Sequence, residues 1–195
     1  MKKIFTLLFL MVTPASAEKL SLDAVSSYFN TMTTAEAAFI QSNDDGSQST
    51  GRMYIKRPGR IRFEYDPPNL ALVMVGGGQV AVFDPKANAE PIRFPLRHTP
   101  LSLVLERTVD LARRDMVMAH TNDGPRTIIT LQDPDRAEYG YIQLVFTDDP
   151  MQLRQWIVDD NSGNKTQIAL SDWTQDQKMP SILFNIQAEM QKRAN

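Results

Sequence analysis

Residues 53–68 read MYIKRPGRIRFEYDPP. Two runs of β-forming residues flank Pro58-Gly59, and Asp66-Pro67-Pro68 closes the second run, so the stretch is a pair of short strands joined by a turn. In the second strand Ile61, Phe63 and Tyr65 alternate with Arg60, Arg62 and Glu64, which sets one face against something apolar. In the first, counting by twos from Met53 gives Ile55 and then Arg57, so a guanidinium stands in line with the apolar face. Left without partners there, it would carry a desolvation cost that few folds tolerate. Two orientations are open. Pro58 can break the strand and let Arg57 turn to solvent, or Arg57 can point inward and bond acceptors supplied by another element. The unsatisfied carbonyls at a helix C-terminus are the natural source of such acceptors.

The same rhythm runs outward in both directions. Short β-like segments cover 35–41, 52–57, 61–65, 70–75 and 80–83, then 92–96, 116–120, 127–131, 139–146, 153–158, 166–170 and 182–186. Gly, Pro, Asn and Asp separate them, as at Asp44-Asp45-Gly46, Gly76-Gly77-Gly78 and Asn161-Ser162-Gly163. Two stretches switch to helical spacing. Ser21 caps a segment carrying Leu22, Val25, Phe29 and Met32 on one side, and Thr99-Pro100 opens a second from Leu101 to about Arg107, with an extra turn from Asp110 to Arg114. About ten or eleven strands with two or three helical pieces imply one large curved antiparallel sheet or open barrel. Two helices are too few to cover such a sheet as a full layer, so they are expected to plug its mouth and leave part of the interior hollow.

Composition sets limits on function. The chain has 195 residues, 42% of them hydrophobic, enough for one sizeable domain. Lys2 and Lys3 precede an apolar run from Ile4 to Val12, followed by Pro14 and Ala15-Ser16-Ala17; residues 1–17 read as a secretory signal peptide, with Glu18 as the first mature residue. The expected organisation is this leader, a single domain over 18–186 and a polar, fraying tail over 187–195. Losing the leader lowers Lys+Arg from 21 to 19 against 23 Asp+Glu, leaving about −4, which does not suit a nucleic-acid binder. With no cysteine, an exported chain has neither disulfides nor thiol chemistry, and no cysteine after the cleavage site to be lipidated.

Catalytic and metal patterns are not found in the sequence. His98 and His120 are the two histidines, with no metal-ligand spacing between them. The acidic pairs Asp148-Asp149 and Asp159-Asp160 sit at turns, where Asp commonly bonds its own backbone. There is no Gly-x-Ser-x-Gly elbow, P-loop or dinucleotide fingerprint, so neither an enzyme nor a cofactor is expected. Phe63 and Trp156 suit either a filled core or a ligand cavity, and the methionines could adapt to irregular apolar ligands or fill gaps.

With these elements placed, the chain resembles the LolA family of periplasmic outer-membrane lipoprotein carriers over about Leu22 to Ile186. The most specific matches are Phe39-x-Gln41, Gly51 through Lys56-Arg57-Pro58-Gly59-Arg60-x-Arg62-Phe63-x-Tyr65 with Pro68, the hairpin ending in Phe83-Asp84, and Thr99-Pro100-Leu101. Leu153-x-x-Trp156-x-Val158-x-Asp160 and Thr166-x-Ile168-x-Leu170 corroborate by order and spacing. Gly77 departs from the Asp usual before the hairpin Gly, and the tail lacks the family's Pro-Gly-Val ending.

The resemblance implies a mainly β fold with short helices: an unclosed antiparallel β-barrel with a helical lid over an apolar cavity for acyl chains. Its implied partners are lipoproteins, a LolCDE-type inner-membrane ABC transporter and a LolB-type outer-membrane receptor, with the carrier itself a periplasmic monomer. Arg57 matches the family arginine that bonds the lid, and Ile61 and Phe63 match bulky cavity-facing positions. The expected lining is Phe39, Met53, Ile55, Ile61, Phe63, Tyr65, Leu72, Met74, Val80 and Val82 from the strands, Leu101, Val104 and Leu105 from the second helix, and Trp156. A related carrier of another amphiphile, such as a glycolipid or polyketide lipid, and an envelope stress-sensing module are the alternative readings, because a greasy interior does not name its occupant.

Overall fold

The structure is a computed structural model that describes residues 18–86, 90–112 and 115–194. The chain first forms helix α1 (Leu22–Thr31), capped by Ser21, whose hydroxyl accepts from the Ala24 amide at 3.1 Å. A meander follows: β1 (Thr34–Asn43), β2 (Gln48–Lys56), β3 (Ile61–Tyr65), β4 (Leu72–Gly76), β5 (Gln79–Phe83) and β6 (Ile92–Pro95). After a 3-10 turn at Leu96–His98 and the short helix α2 (Ser102–Leu105), a second meander runs through β7 (Val117–Asp123), β8 (Arg126–Gln132), β9 (Tyr141–Asp148), β10 (Met151–Asp159) and β11 (Lys165–Gln175). A 3-10 turn at Ser181–Phe184 leads into helix α3 (Ile186–Ala194).

All eleven strands form one antiparallel sheet in the order β6-β5-β4-β3-β2-β1-β11-β10-β9-β8-β7. The β1–β11 pair, with Phe39 opposite Leu170, joins the two meanders. β6 and β7 are left as unpaired edges, so the barrel does not close. The chain that connects those two edges, residues 96–116, carries α2. The expected unclosed antiparallel architecture is what forms.

The concave face holds the main core. Phe39, Met53, Ile55, Ile61, Ile129, Leu144, Phe146 and Trp156 are buried in one cluster with Val25 and Phe29 of α1 and Leu103, Val104 and Leu105 of α2. The helices thus fill the concavity from their own side, and burying Phe29 or Val25 contributes about 2 kcal/mol each. Edge-to-face rings extend the cluster: Phe39 lies 5.4 Å from Phe63 and 5.1 Å from Tyr65, and Phe63 lies 6.1 Å from Trp156. Gly51, opposite Phe39 in β2, makes this possible, because a Cβ there would sit 2.1 Å from the Glu64 carbonyl and 2.8 Å from the Phe39 ring.

The C-terminal region departs from the sequence reading. Ile182, Phe184 and Ile186 alternate as a strand would, yet they form the 3-10 turn and the start of α3. The stretch read as a fraying tail is that helix, held on the convex face by Ile186 and Met190 against Leu72, Met74, Ala81 and Phe83. Arg62 is buried beneath it, donating to Glu64 Oε1 at 2.6 Å, the Leu183 carbonyl at 3.1 Å and Glu189 Oε2 at 3.2 Å. Glu189 also accepts from Arg193 at 2.9 Å, and the Arg193 guanidinium lies 4.9 Å from the Phe83 ring centroid. A helix this short needs such tertiary anchors, since its own propagation energy is marginal.

Smaller differences follow the same physics. Leu96 leaves the strand for a 3-10 turn, and Thr99 does not cap α2 with its side chain: its hydroxyl donates to the Leu96 carbonyl, while its own carbonyl accepts from the Ser102 amide. The extra turn expected at Asp110–Arg114 is present at Leu111 and Ala112, with residues 113 and 114 outside the described residues. Residues 1–17, where the leader was read, also lie outside the described residues.

Candidate functional site

β2 ends at Lys56, and the backbone then folds back on itself: Arg57 N–H donates to the Thr33 carbonyl at 2.9 Å. This turns the Arg57 side chain toward α2 rather than to solvent. Its two terminal nitrogens donate to the carbonyls of Val104 and Glu106, the latter at 2.8 Å. Between them, Gly59 N–H donates to the Leu105 carbonyl at 2.9 Å. Three consecutive carbonyls at the C-terminal end of α2 are therefore taken up by Arg57 and Gly59, where a helix leaves acceptors unsatisfied and a positive charge is favoured. Gly59 adopts φ +70°, a backbone state that glycine reaches without the penalty a Cβ imposes.

Arg57 also touches α1, its guanidinium carbon lying 5.7 Å from the centroid of the Phe29 ring. Burial pulls its pKa below the ordinary arginine value, with the Glu106 carboxylate opposing that shift; the group stays charged at neutral pH. α1 is fastened to the segment after α2 as well. Asn30 Nδ2 donates to the Val109 carbonyl and Asn30 Oδ1 accepts from the Val109 amide, both at 2.8 Å. Ser26 Oγ accepts from Leu111 N–H at 3.0 Å and donates to the Leu22 carbonyl at 2.7 Å.

Beneath this arrangement lies the apolar interior. Phe39, Met53, Ile55, Ile61, Phe63, Val80, Val104, Leu105 and Trp156 are buried together, and Tyr65 and Leu101 pack against them. Tyr65 donates its hydroxyl to Gln41 Oε1, and burial pushes its pKa up to about 12. Val82, half-buried, stands opposite Val73 and two positions from Val80. Leu72 and Met74 are the correction. They face the convex side, in a separate cluster under α3, while Val73 and Val75 take the inner face of β4. β4 is apolar on both sides, so alternation alone could not say which set points inward.

The sequence reading missed the Asn30–Val109 and Ser26–Leu111 bonds, the Gly59 amide and the Arg62–Glu189 pair. Ser26 and Asn30 did leave a signal, two polar residues four apart on a helix, beside the apolar stripe of Val25 and Phe29.

The family model for the outer membrane lipoprotein carrier protein LolA matches residues 30–187, most of the chain. The chain belongs to the LolA family. This LolA-family protein is 25% identical over 167 residues to the outer-membrane lipoprotein carrier protein of Chromohalobacter salexigens, covering 81% of this chain and 78% of that protein. It is 25% identical over 183 residues to the protein of the same description from Azotobacter vinelandii, covering 89% and 87%. A DUF1329 family protein from Desulfovibrio piger shares the fold, with a TM-score of 0.52 at 15% identity over 86% of this chain and 95% of that one.

The polar residues weighed as candidate chemistry serve local structure in this LolA-family fold. His98 stacks on Tyr139 with ring centroids 4.5 Å apart, and a ring nitrogen of His120 lies 2.9 Å from the Leu20 carbonyl. Asp160 accepts from the amides of Ser162 and Asn164, and Asp159 from that of Asn161. Among the described residues no cluster of His, Asp and Glu is placed to hold a metal ion, and no helix is long and apolar enough to cross a membrane. A few hydrogen bonds hold α1, α2 and the segment after α2 over an interior of aliphatic and aromatic side chains.

Proposed function

We propose that this protein carries lipoproteins through the periplasm by sheltering their acyl chains beneath a lid made of α1, α2 and the segment after α2. It receives cargo from a LolCDE-type transporter of the inner membrane and delivers it to a LolB-type receptor of the outer membrane, and it does no covalent chemistry on the way. The observation that carries this reading is the attachment of Arg57 and Gly59 to the last two carbonyls of α2 and that of its C-cap Glu106, directly over the apolar interior. Membership of the LolA family supports lipoproteins over other amphiphiles as cargo.

A magnitude explains why a latch is useful. Sheltering about fourteen methylenes of one acyl chain contributes on the order of ten kcal/mol, and two or three chains would approach the ~20 kcal/mol limit of non-covalent affinity. A carrier that tight would not unload. Bonds that stabilise the empty, closed lid must break on loading, and their re-formation favours discharge. Arg57 supplies those bonds, while Phe39, Met53, Ile55, Ile61, Phe63 and Trp156 meet the chains once the lid has moved.

The test is transfer. Purified wild type and Arg57→Leu, each loaded with the same triacylated lipoprotein, are passed over immobilised receptor. The variant is expected to load normally and release little; release equal to wild type refutes the latch.

A further inference from the structure

Arg57 borders a second feature. Beside the latch, a recess of about 570 Å³ opens between the start of β1, the end of β2 and the chain that follows β11. Three cations line it, Lys56, Arg57 and Lys178, against one carboxylate, Asp176. Asp176 accepts from the Thr33 hydroxyl at 3.2 Å, so part of its acceptor capacity is taken locally. Lys56 is held in the wall by bonds from its ammonium to the Met179 carbonyl at 2.6 Å and Ser181 Oγ at 3.1 Å, which leaves its third N–H uncommitted by these contacts. Buried Met179, with Pro180, adds apolar surface beside these cations.

Resting on the carrier reading above, we infer that this recess takes an anionic group, a phosphate or carboxylate, carried by the cargo beside its acyl chains, and that the bound anion draws Arg57 away from the α2 carbonyls. In the closed lid both hydrogen-bond acceptors of the guanidinium are neutral carbonyls. The charged guanidinium meets only carbonyl dipoles as hydrogen-bond acceptors there, whereas an anion in the recess adds a full opposite charge at hydrogen-bond distance and so competes for the same donors. Lys56 and Lys178 add attraction from the same wall. The shared residue couples the steps: the anionic group docks beside the mouth, the latch releases, and the tail enters the interior that α1 and α2 had closed. The desolvation that already depresses the Arg57 pKa acts in the same direction, since a partly dehydrated cation gains most from an anionic partner.

Three matched probes test this by calorimetry on the full mature chain: 1-palmitoylglycerol, its 3-phosphate, and glycerol 3-phosphate without a tail. The phosphorylated lipid is expected to bind roughly tenfold more tightly than the neutral one, a preference that shrinks as salt rises from about 0.05 to about 0.5 M. Lys178→Gln, a change at an exposed position, is expected to cut the preference several-fold. Equal affinity for the two lipids overturns the headgroup site while leaving the carrier reading intact. Tail-free glycerol 3-phosphate binding as tightly as the phosphorylated lipid also overturns it, marking a free-anion site instead. Failure of the phosphorylated lipid to bind also overturns it, while the carrier reading is decided separately by the lipoprotein-transfer test above.

Discussion

The paired bonds between Asn30 and Val109 make α1 and the segment after α2 one mechanical unit, and Asn30→Ala is the perturbation that separates them. Both bonds are 2.8 Å long and half-buried, and each is worth about 1 kcal/mol net, with a further penalty for any Val109 group left without a partner. The loss is about 2–3 kcal/mol of closed-lid stability, which raises the open population roughly 30- to 150-fold. Native-state amide hydrogen exchange, read by mass spectrometry on the peptide spanning Leu103 to Leu111, measures this directly. Amides of β1 and β11, at the centre of the sheet, serve as the internal reference. Protection over Leu103–Leu111 is expected to fall by that factor while β1 and β11 change little. Asn30→Asp retains the acceptor for the Val109 amide but sets a carboxylate against the Val109 carbonyl, so it is expected to be no more protected than Asn30→Ala. Less than roughly a threefold change over Leu103–Leu111, or an equal change in the central strands, refutes the idea that these bonds hold the lid as a unit.

Other outcomes follow from the same geometry. Gly51→Ala brings a Cβ to 2.1 Å from the Glu64 carbonyl, so backbone must shift; a loss of about 3 kcal/mol, or roughly 10 °C in Tm by calorimetry, is expected. Met74→Ala is expected to lower stability without altering lipid affinity, whereas Met53→Ala alters both, because the two methionines lie on opposite faces; a change in lipid binding by Met74→Ala would contradict that assignment. Burial raises the Glu189 pKa, but its bonds to Arg193 and Arg62 outweigh this and hold it below the ordinary carboxylate value. A depressed folded-state pKa means the stability it contributes is complete above the unfolded value and is lost as pH falls through the folded one. Acid titration of α3 attachment should therefore show a transition below about pH 4 that Glu189→Gln removes; an identical transition in that variant argues against Glu189 as its source.

The sequence by itself determined the elements and most of their inward faces. Alternation in Ile61, Phe63 and Tyr65 is a local property, because successive side chains on a strand point to opposite sides, and these are the β3 residues that join the main core. The turns and the Ser21 cap are equally local, since they depend on backbone states that Gly, Pro, Asp and Ser favour. Tertiary structure decided the rest. Whether Arg57 points inward depended on where α2 ends, and that end is nearly fifty residues away in sequence. Which face of β4 is concave depended on α3, whose cover lets Leu72 and Met74 be as apolar as Val73 and Val75. The spacing of Ile182, Phe184 and Ile186 imitates a strand, yet the Arg62–Glu189 pair and the convex apolar patch draw that stretch into a turn and a helix. Periodicity records which residues share a side; only the assembled sheet decides what each side meets.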